Sequence, residues 1–135
     1  MSFGKPRFGK KEGFEIIRSC SKKGYLILGG FDKLLSYFEH NYKPNKIISF
    51  IDIRYFNGRS YESSGFSLEK LSDPNYYYFD PKNPSVLFNR MSFQKNRLHK
   101  KLKIFDPNLS ESDNMSLNGY LRIYDAGNLK MIKTY

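Results

Sequence analysis

The spacing of apolar residues predicts a strand, a helix and a second strand in the first half of the chain. Residues 14–20 (FEIIRSC) alternate enough to form a half-buried strand, and the β-branched run at 46–53 indicates a buried one. Residues 31–41 (FDKLLSYFEHN) carry apolar side chains on one helical stripe, which is typical of an amphipathic helix. Parallel pairing of the two strands through this helix would form a right-handed βαβ unit.

Shorter patterns predict the elements that flank this unit. Residues 1–8 favour a short edge strand that Pro6 ends. Residues 67–71 and 76–79 are typical of a hairpin, because the residues between them (SDPN) are turn formers.

The C-terminal third combines a basic segment with two closing strands. Residues 85–103 predict a basic helix, and residues 110–117 predict a helix whose N-cap is Ser110. Residues 119–124 and 128–132 predict two short strands that form a small terminal β-hairpin.

Together these elements predict an α/β (α+β) fold in a single compact domain, the expected number for 135 residues. The core would be a mixed sheet over residues 1–80 with the βαβ unit at its centre. Residues 81–135 would form a basic extension packed on that core. Twelve Phe and eleven Tyr make up for a modest hydrophobic fraction, since each ring buries a large area.

Charge is distributed unevenly along the chain, which has a formal net charge of +10. Residues 1–30 carry seven Lys and Arg against two acids, residues 31–80 are nearly neutral, and residues 81–103 carry seven Lys and Arg with no acid. Basic flanks around a neutral middle are typical of a nucleic-acid-binding protein. A solvated basic face that binds nothing is the alternative.

The candidate nucleic-acid contacts lie in the two basic flanks. In residues 85–103, basic and amide side chains recur every three or four positions, a spacing that would align them on one helical face for phosphates and base edges. The candidates are Lys5, Arg7, Lys10, Lys11, Arg90, Gln94, Lys95, Arg97, Lys100 and Lys101.

Other compositional features exclude several classes of protein. A lone cysteine, Cys20, excludes an intramolecular disulfide framework and favours a reducing compartment. With only His40 and His99, no cluster of metal ligands is visible. No apolar run has membrane-spanning length and no signal segment is visible, so we expect a cytoplasmic protein with no membrane partner.

Candidate chemistry lies in the segment 46–66 (KIISFIDIRYFNGRSYESSGF) and in the glycines before the predicted helix. Tyr61 could act as a general acid, and Ser49 and Asp52 lie on the preceding strand. Strand alternation puts Ser49 and Asp52 on opposite faces unless a bulge intervenes near residue 51. Asp52 could equally form a structural ion pair with Arg54, and Tyr61 could simply pack on the sheet.

Glycines before a helix can let backbone N–H groups bind an anion. Gly24, Gly29 and Gly30 are therefore candidate cofactor-binding residues. A tight turn is the alternative.

Several segments carry a resemblance to a known family, and together they cover nearly the whole chain. They are MSFGKPRF, FEIIRSC, LGGFDKLLSYF, KPNKIISFIDIRYFNG, YESSGF, NRMSFQKNRL and GYLRIYDAGNLK. They resemble a small GNAT-like domain of bacteriophages, giant viruses and mobile elements, often found C-terminal to the nuclease part of homing-endonuclease-like proteins, including Vsr-like ones. The central region is also distantly similar to Mom-type DNA-modification proteins, which are themselves GNAT-like.

This resemblance implies a GNAT-like sheet truncated at its N-terminus, with Ser49, Asp52 and Tyr61 at the positions of an active site and acetyl-CoA or a related acyl-CoA as cofactor. The leading hypothesis is a nucleic-acid-binding module, with DNA as the main partner, associated with a homing-endonuclease or DNA-modification system and hence with a nuclease domain. An acyl-CoA-dependent transferase acting on nucleic acid or protein is the second hypothesis. A phage-encoded inhibitor of a host nucleoprotein is the third. A nuclease is disfavoured, because the chain shows neither an Asp/Glu-x-Lys core nor a His-Asn-His array.

Overall fold

The computed structural model describes residues 1–8 and 12–135, which form a mixed α+β structure with two β-sheets and four α-helices. The strands are β1 (Ser2–Gly4), β2 (Phe14–Arg18), β3 (Lys46–Asp52), β4 (Ser67–Leu71), β5 (Tyr76–Asp80), β6 (Asn83–Asn89), β7 (Leu121–Tyr124) and β8 (Asn128–Thr134). The helices are α1 (Gly30–Tyr42), α2 (Arg59–Ser63), α3 (Lys95–Leu98) and α4 (Glu111–Leu117).

The chain divides into two compact units. Unit 1 comprises Met1–Asp73 and Gly127–Tyr135, and unit 2 comprises Pro74–Ala126. This division differs from the boundary after residue 80 that the sequence predicts. The reason is that β8, which belongs to the predicted extension, is an interior strand of the unit 1 sheet.

Unit 1 contains a five-stranded sheet in the order β1-β2-β3-β8-β4. Strands β2 and β3 pair in parallel and α1 connects them, so the predicted pairing is confirmed. The helical stripe is confirmed as well, because Leu35 and Phe38 are buried in α1. Both pack in a core with Ile16, Ile47 and Ile51, among others.

The two predicted hairpins are wrong. Strand β4 pairs with β8 in unit 1, whereas β5 pairs with β6 and β7 in unit 2. Likewise, β7 and β8 belong to different sheets. Instead of closing hairpins, the predicted turn residues form hydrogen bonds to residues far away in sequence. The Ser72 N–H donates to the Asn128 carbonyl (2.8 Å), and the Asp125 N–H donates to the Asn75 carbonyl (2.8 Å).

Unit 2 contains a three-stranded sheet in the order β6-β5-β7. Its core is formed by Tyr78, Phe93, Leu98 and Met115. The predicted cap of α4 is confirmed, because the Ser110 side chain accepts a hydrogen bond from the Asp113 N–H.

The predicted basic helix over residues 85–103 is wrong. The segment begins as strand β6, continues as a 3-10 turn (Arg90–Phe93) and ends in α3, a single helical turn. The Asn89 side chain caps the 3-10 turn, and Gln94 then interrupts the helical path with a ψ of 140°. Because of this interruption, Arg90, Gln94, Arg97 and Lys101 do not form one helical row.

Candidate functional site

A cavity of about 400 Å³ lies in unit 1 at the carboxyl ends of β2 and β3. Residues 16–19 and 49–52 line its two sides, and residues from α1, α2 and the loop before α2 complete it. Its volume is within the range of small-molecule sites, and its position matches the usual location of ligands in α/β sheets, beyond the carboxyl ends of parallel strands.

The cavity opens because the two parallel strands separate. Their pairing extends from Phe14 and Ile47 to Ile16 and Ser49, and beyond this point residues of both strands line the cavity. On its other edge β3 pairs with β8 without a register shift, so β3 carries no bulge in that ladder. Ser49 and Asp52 therefore reach the same cavity through strand separation rather than through the bulge that strand alternation requires.

Tyr61 and Ser49 form the polar part of the cavity wall. The Ser49 hydroxyl donates a hydrogen bond to the Tyr61 hydroxyl oxygen over 3.2 Å. The Tyr61 ring packs edge-on against Phe31 (4.8 Å between centroids) and Phe66 (5.3 Å), which fixes its position on the short helix α2. The hydroxyl pair thus lies in a largely aromatic wall that also includes Phe56.

Asp52 lines the cavity but is held by Arg54. The Arg54 Nη2 lies 2.6 Å from Asp52 Oδ2, and the Arg54 Nε and backbone N–H also donate to this carboxylate. Hydrogen bonds from Arg54 hold the pKa of Asp52 below its usual value against a smaller opposing effect of burial. A carboxylate with a lowered pKa is a weak general base, so this contact favours a positioning role or the structural ion pair.

The three candidate glycines do not line the cavity. Gly24 and Gly29 lie in the exposed loop between β2 and α1. The Gly30 N–H donates to the Ile27 carbonyl over 3.3 Å, and a Cβ at Gly30 would lie 2.9 Å from Ile27 Cγ2. The Gly30 amide therefore serves the loop itself, which is the turn alternative.

Two of the candidate phosphate contacts near the N-terminus, Lys5 and Arg7, lie against other side chains of unit 1. Lys5 Nζ lies 5.3 Å from the centre of the Phe14 ring. Arg7 lies 2.6 Å from the carboxylate of Glu15, whose side chain is fully buried, and the Arg7 backbone N–H also donates to it. Since a buried carboxylate needs its partner, we assign Arg7 to folding rather than to ligand binding. Lys10 and Lys11 lie outside the described residues.

The basic candidates in unit 2 are exposed, whereas Gln94 is half-buried. The Gln94 side chain donates to Met91 Sδ (3.6 Å), and Lys101 Nζ donates to the Ser92 carbonyl (2.8 Å) and lies over the Phe93 ring. The exposed basic side chains of the segment are Arg90, Lys95, Arg97, Lys100, Lys101 and Lys103. All four ion pairs found among the described residues use basic residues of unit 1, so none of these six has a carboxylate partner.

The sequence did not single out Arg122, which the structure places beside Tyr76 and Tyr124 on the unit 2 sheet. The sequence does contain a signal for it. In the strand LRIY a basic residue alternates with apolar ones, and the paired strand carries tyrosines.

The described residues contain neither a candidate metal site nor a candidate membrane span. Residues 1–8 and 12–135 contain no group of three or more His, Cys, Asp or Glu placed to hold a metal ion. Nor does this part of the chain contain a helix with the length and hydrophobicity needed to cross a membrane. No family model, curated protein or solved structure matches the chain.

Proposed function

We propose that the protein is a nucleic-acid-binding module and that unit 2 contacts the phosphates. The observation that carries this proposal is the basic surface of unit 2: residues 81–103 contain seven Lys and Arg and no acid, and none of the ion pairs formed among residues 1–8 and 12–135 involves them. Clustered cations without carboxylate partners repel one another, and phosphates relieve that repulsion while releasing counterions. The resemblance to homing-endonuclease-associated domains points to DNA and to a mobile-element setting.

The test is the salt dependence of DNA binding, measured by fluorescence anisotropy with a labelled duplex. We expect affinity to fall steeply as salt rises, with a slope of about −0.9 per phosphate contact. The triple variant K95Q/R97Q/K100Q removes three exposed cations of unit 2, and it should bind more weakly and flatten the slope by about 3.

The matched control is K33Q/R59Q/K70Q, which removes three exposed cations of unit 1 and changes net charge equally. Equal losses of affinity in the two triple variants would mean that only net charge matters and would contradict a site on unit 2. No binding at low salt would contradict the proposal as a whole.

A second candidate function, an acyl-CoA-dependent transferase with a GNAT-like unit 1, is favoured by one observation. Ser49, Asp52 and Tyr61, chosen from sequence alone, all line the same cavity between separated parallel strands. In such an enzyme the Tyr61 hydroxyl would protonate a departing thiolate, and the Ser49 hydroxyl would orient it. The surroundings of Gly29 and Gly30 do not support a phosphate site at these two glycines. The experiment therefore tests ligand binding at the cavity wall.

Calorimetry with acetyl-CoA tests this second function. Ser60 lines the cavity from α2, so Ser60→Trp should fill the cavity and abolish binding. Ser63→Trp is the control, because Ser63 is exposed on the same helix and does not line the cavity. Binding that survives Ser60→Trp, or no heat with the unaltered protein, would rule this function out.

A further inference from the structure

Two arginines and two tyrosines meet on one face of the unit 2 sheet, and we call them the arginine–tyrosine cluster: Tyr76, Arg90, Arg122 and Tyr124. The Arg90 Cζ lies 5.2 Å from the centre of the Tyr76 ring, and the Arg122 Cζ lies 5.4 Å from it. Arg122 also lies 5.9 Å from the Tyr124 ring, whose centre is 5.7 Å from that of Tyr76.

Sheet register and the turn after β6 bring these residues together from two strands and a 3-10 turn. Tyr76 on the central strand β5 is directly opposite Tyr124 on β7, and Arg122 is its diagonal neighbour on the same face. On the other side, β6 ends at Asn89, and its side-chain cap starts the 3-10 turn that begins with Arg90. The cluster is therefore built by two paired strands and a short, capped 3-10 turn.

The guanidinium groups are positioned but not neutralised. Neither Arg90 nor Arg122 forms an ion pair in the described chain. The neighbouring carboxylates have other partners: Glu111 Oε1 accepts from the Tyr76 and Tyr78 hydroxyls (3.2 Å each), and Asp125 Oδ1 accepts from the Asn75 N–H (2.8 Å). A guanidinium that lies over a ring without a carboxylate partner keeps N–H donors available, and such donors bind phosphate oxygens.

The cluster also presents a surface on which a base could stack. The Tyr124 side chain is 56% exposed although its position is fixed by Tyr76 and Arg122. Bases in a duplex have their faces covered by their neighbours, whereas bases of a single strand can stack on an aromatic ring.

We propose that the arginine–tyrosine cluster binds single-stranded nucleic acid, with Arg90 and Arg122 holding phosphates and Tyr124 stacking on an unpaired base. This inference rests on the proposed nucleic-acid-binding function and specifies the form of the ligand. Duplex binding through the other basic residues of unit 2 does not require the cluster.

The experiment compares one labelled DNA oligonucleotide, single-stranded or annealed to its complement, binding to the full chain. We expect Tyr124→Leu to weaken single-strand binding by about tenfold, the loss typical of one stacked base, and to leave duplex binding within about twofold. Tyr124→Phe keeps the ring and should restore single-strand binding. Tyr37→Leu is the matched control, since Tyr37 is an exposed tyrosine on α1 in unit 1.

Each outcome decides a different claim. If Tyr124→Leu weakens neither form, or weakens both equally, the cluster does not select single strands, while binding by unit 2 still stands. If neither form binds the unaltered protein at low salt, the proposed function itself fails. Arg122→Gln provides an independent readout: it should reduce the salt slope for the single strand by about 1, and an unchanged slope would contradict a phosphate contact at Arg122.

Discussion

At the scale of single residues, Glu39 is the carboxylate whose environment makes the clearest prediction. Its carboxylate on α1 accepts hydrogen bonds from Lys133 Nζ (2.7 Å) and from the Tyr135 hydroxyl. Burial alone would raise the pKa of Glu39, but the contacts with Lys133 and Tyr135 outweigh it and hold this pKa below 4.5. Burial and the same carboxylate raise the pKa of Tyr135.

The lowered pKa of Glu39 gives stability its pH dependence. The unfolded chain binds a proton more readily at this residue than the folded chain does. The stabilisation that the Glu39 carboxylate contributes is therefore fully present above the unfolded pKa, and it is lost as pH falls through the lower folded pKa. Glu39→Gln should therefore reduce the free energy of unfolding at neutral pH, and the difference from the unaltered protein should shrink below about pH 4. Urea denaturation over a pH series measures this difference in unfolding free energy, and Glu12→Gln, at an exposed position, is the control. A difference that does not depend on pH would contradict the role assigned to the Glu39 contacts.

At the scale of elements, the start of α2 decides where Tyr61 lies. Gly58 precedes α2 with a φ of 82°, and a Cβ there would lie 3.0 Å from Leu129 Cδ1. Gly58→Ala should destabilise the protein by about 1–3 kcal/mol, because it combines a left-handed backbone with a tight contact. Gly24→Ala isolates the backbone cost, since Gly24 has a φ of 83° and no atom within 4 Å of a Cβ. Equal losses of unfolding free energy in the two variants would show that the Leu129 contact is harmless.

How far the sequence predicts each element depends on whether its determinants are local. The stripe of α1 and the cap at Ser110 are properties of neighbouring residues, and both are confirmed. The partner of β4 is not a local property, because β4 pairs with a strand more than fifty residues later. Residues 85–103 mislead for another reason: their i, i+4 charge spacing fits a helix, but Pro84, the Asn89 cap and the extended Gln94 favour a strand and two short turns.

The candidate sites likewise separate into features that the sequence predicts and contacts that only the folded chain creates. Ser49, Asp52 and Tyr61 line one cavity, although strand alternation alone would place Ser49 and Asp52 on opposite faces and only the resemblance implied a common site. The candidate glycines lie away from that cavity, and the Gly30 amide donates to the Ile27 carbonyl, a contact that no spacing rule contains. The arginine–tyrosine cluster was missed because Arg90 and Arg122 lie over the same ring, that of Tyr76, only once β5 has paired with β6 and β7.

At the scale of the whole molecule, unit 2 is an insertion between two paired strands of unit 1. The Ser72 N–H donates to the Asn128 carbonyl, and the Asn128 N–H donates to Ser72 Oγ (2.9 Å), so the chain leaves and re-enters the unit 1 sheet at adjacent points. Deleting residues 74–126 would join Asp73 directly to Gly127. Asp-Gly is a preferred two-residue hairpin loop, and Gly127 already has a φ of 84°.

We expect the protein without residues 74–126 to fold, with cooperative thermal unfolding, and to lose the salt-dependent DNA binding that we assign to unit 2. Circular dichroism and calorimetry measure the first property, and anisotropy measures the second. Met131→Ala in the shortened protein is the control for a native core, since Met131 is 1% exposed and its truncation should cost about 2–5 kcal/mol. An aggregated or non-cooperative product would contradict the independence of unit 1.

The interior position of β8 has a consequence for synthesis. Strand β8 lies between β3 and β4, which pair with it and not with each other, and it follows the whole of unit 2 in the chain. A nascent chain therefore presents the complete sequence of unit 2 while the unit 1 sheet still lacks an interior strand, with one backbone edge of β3 and one of β4 unpaired. Chains that stall on the ribosome before β8 would carry a formed basic module on an unfinished, aggregation-prone sheet.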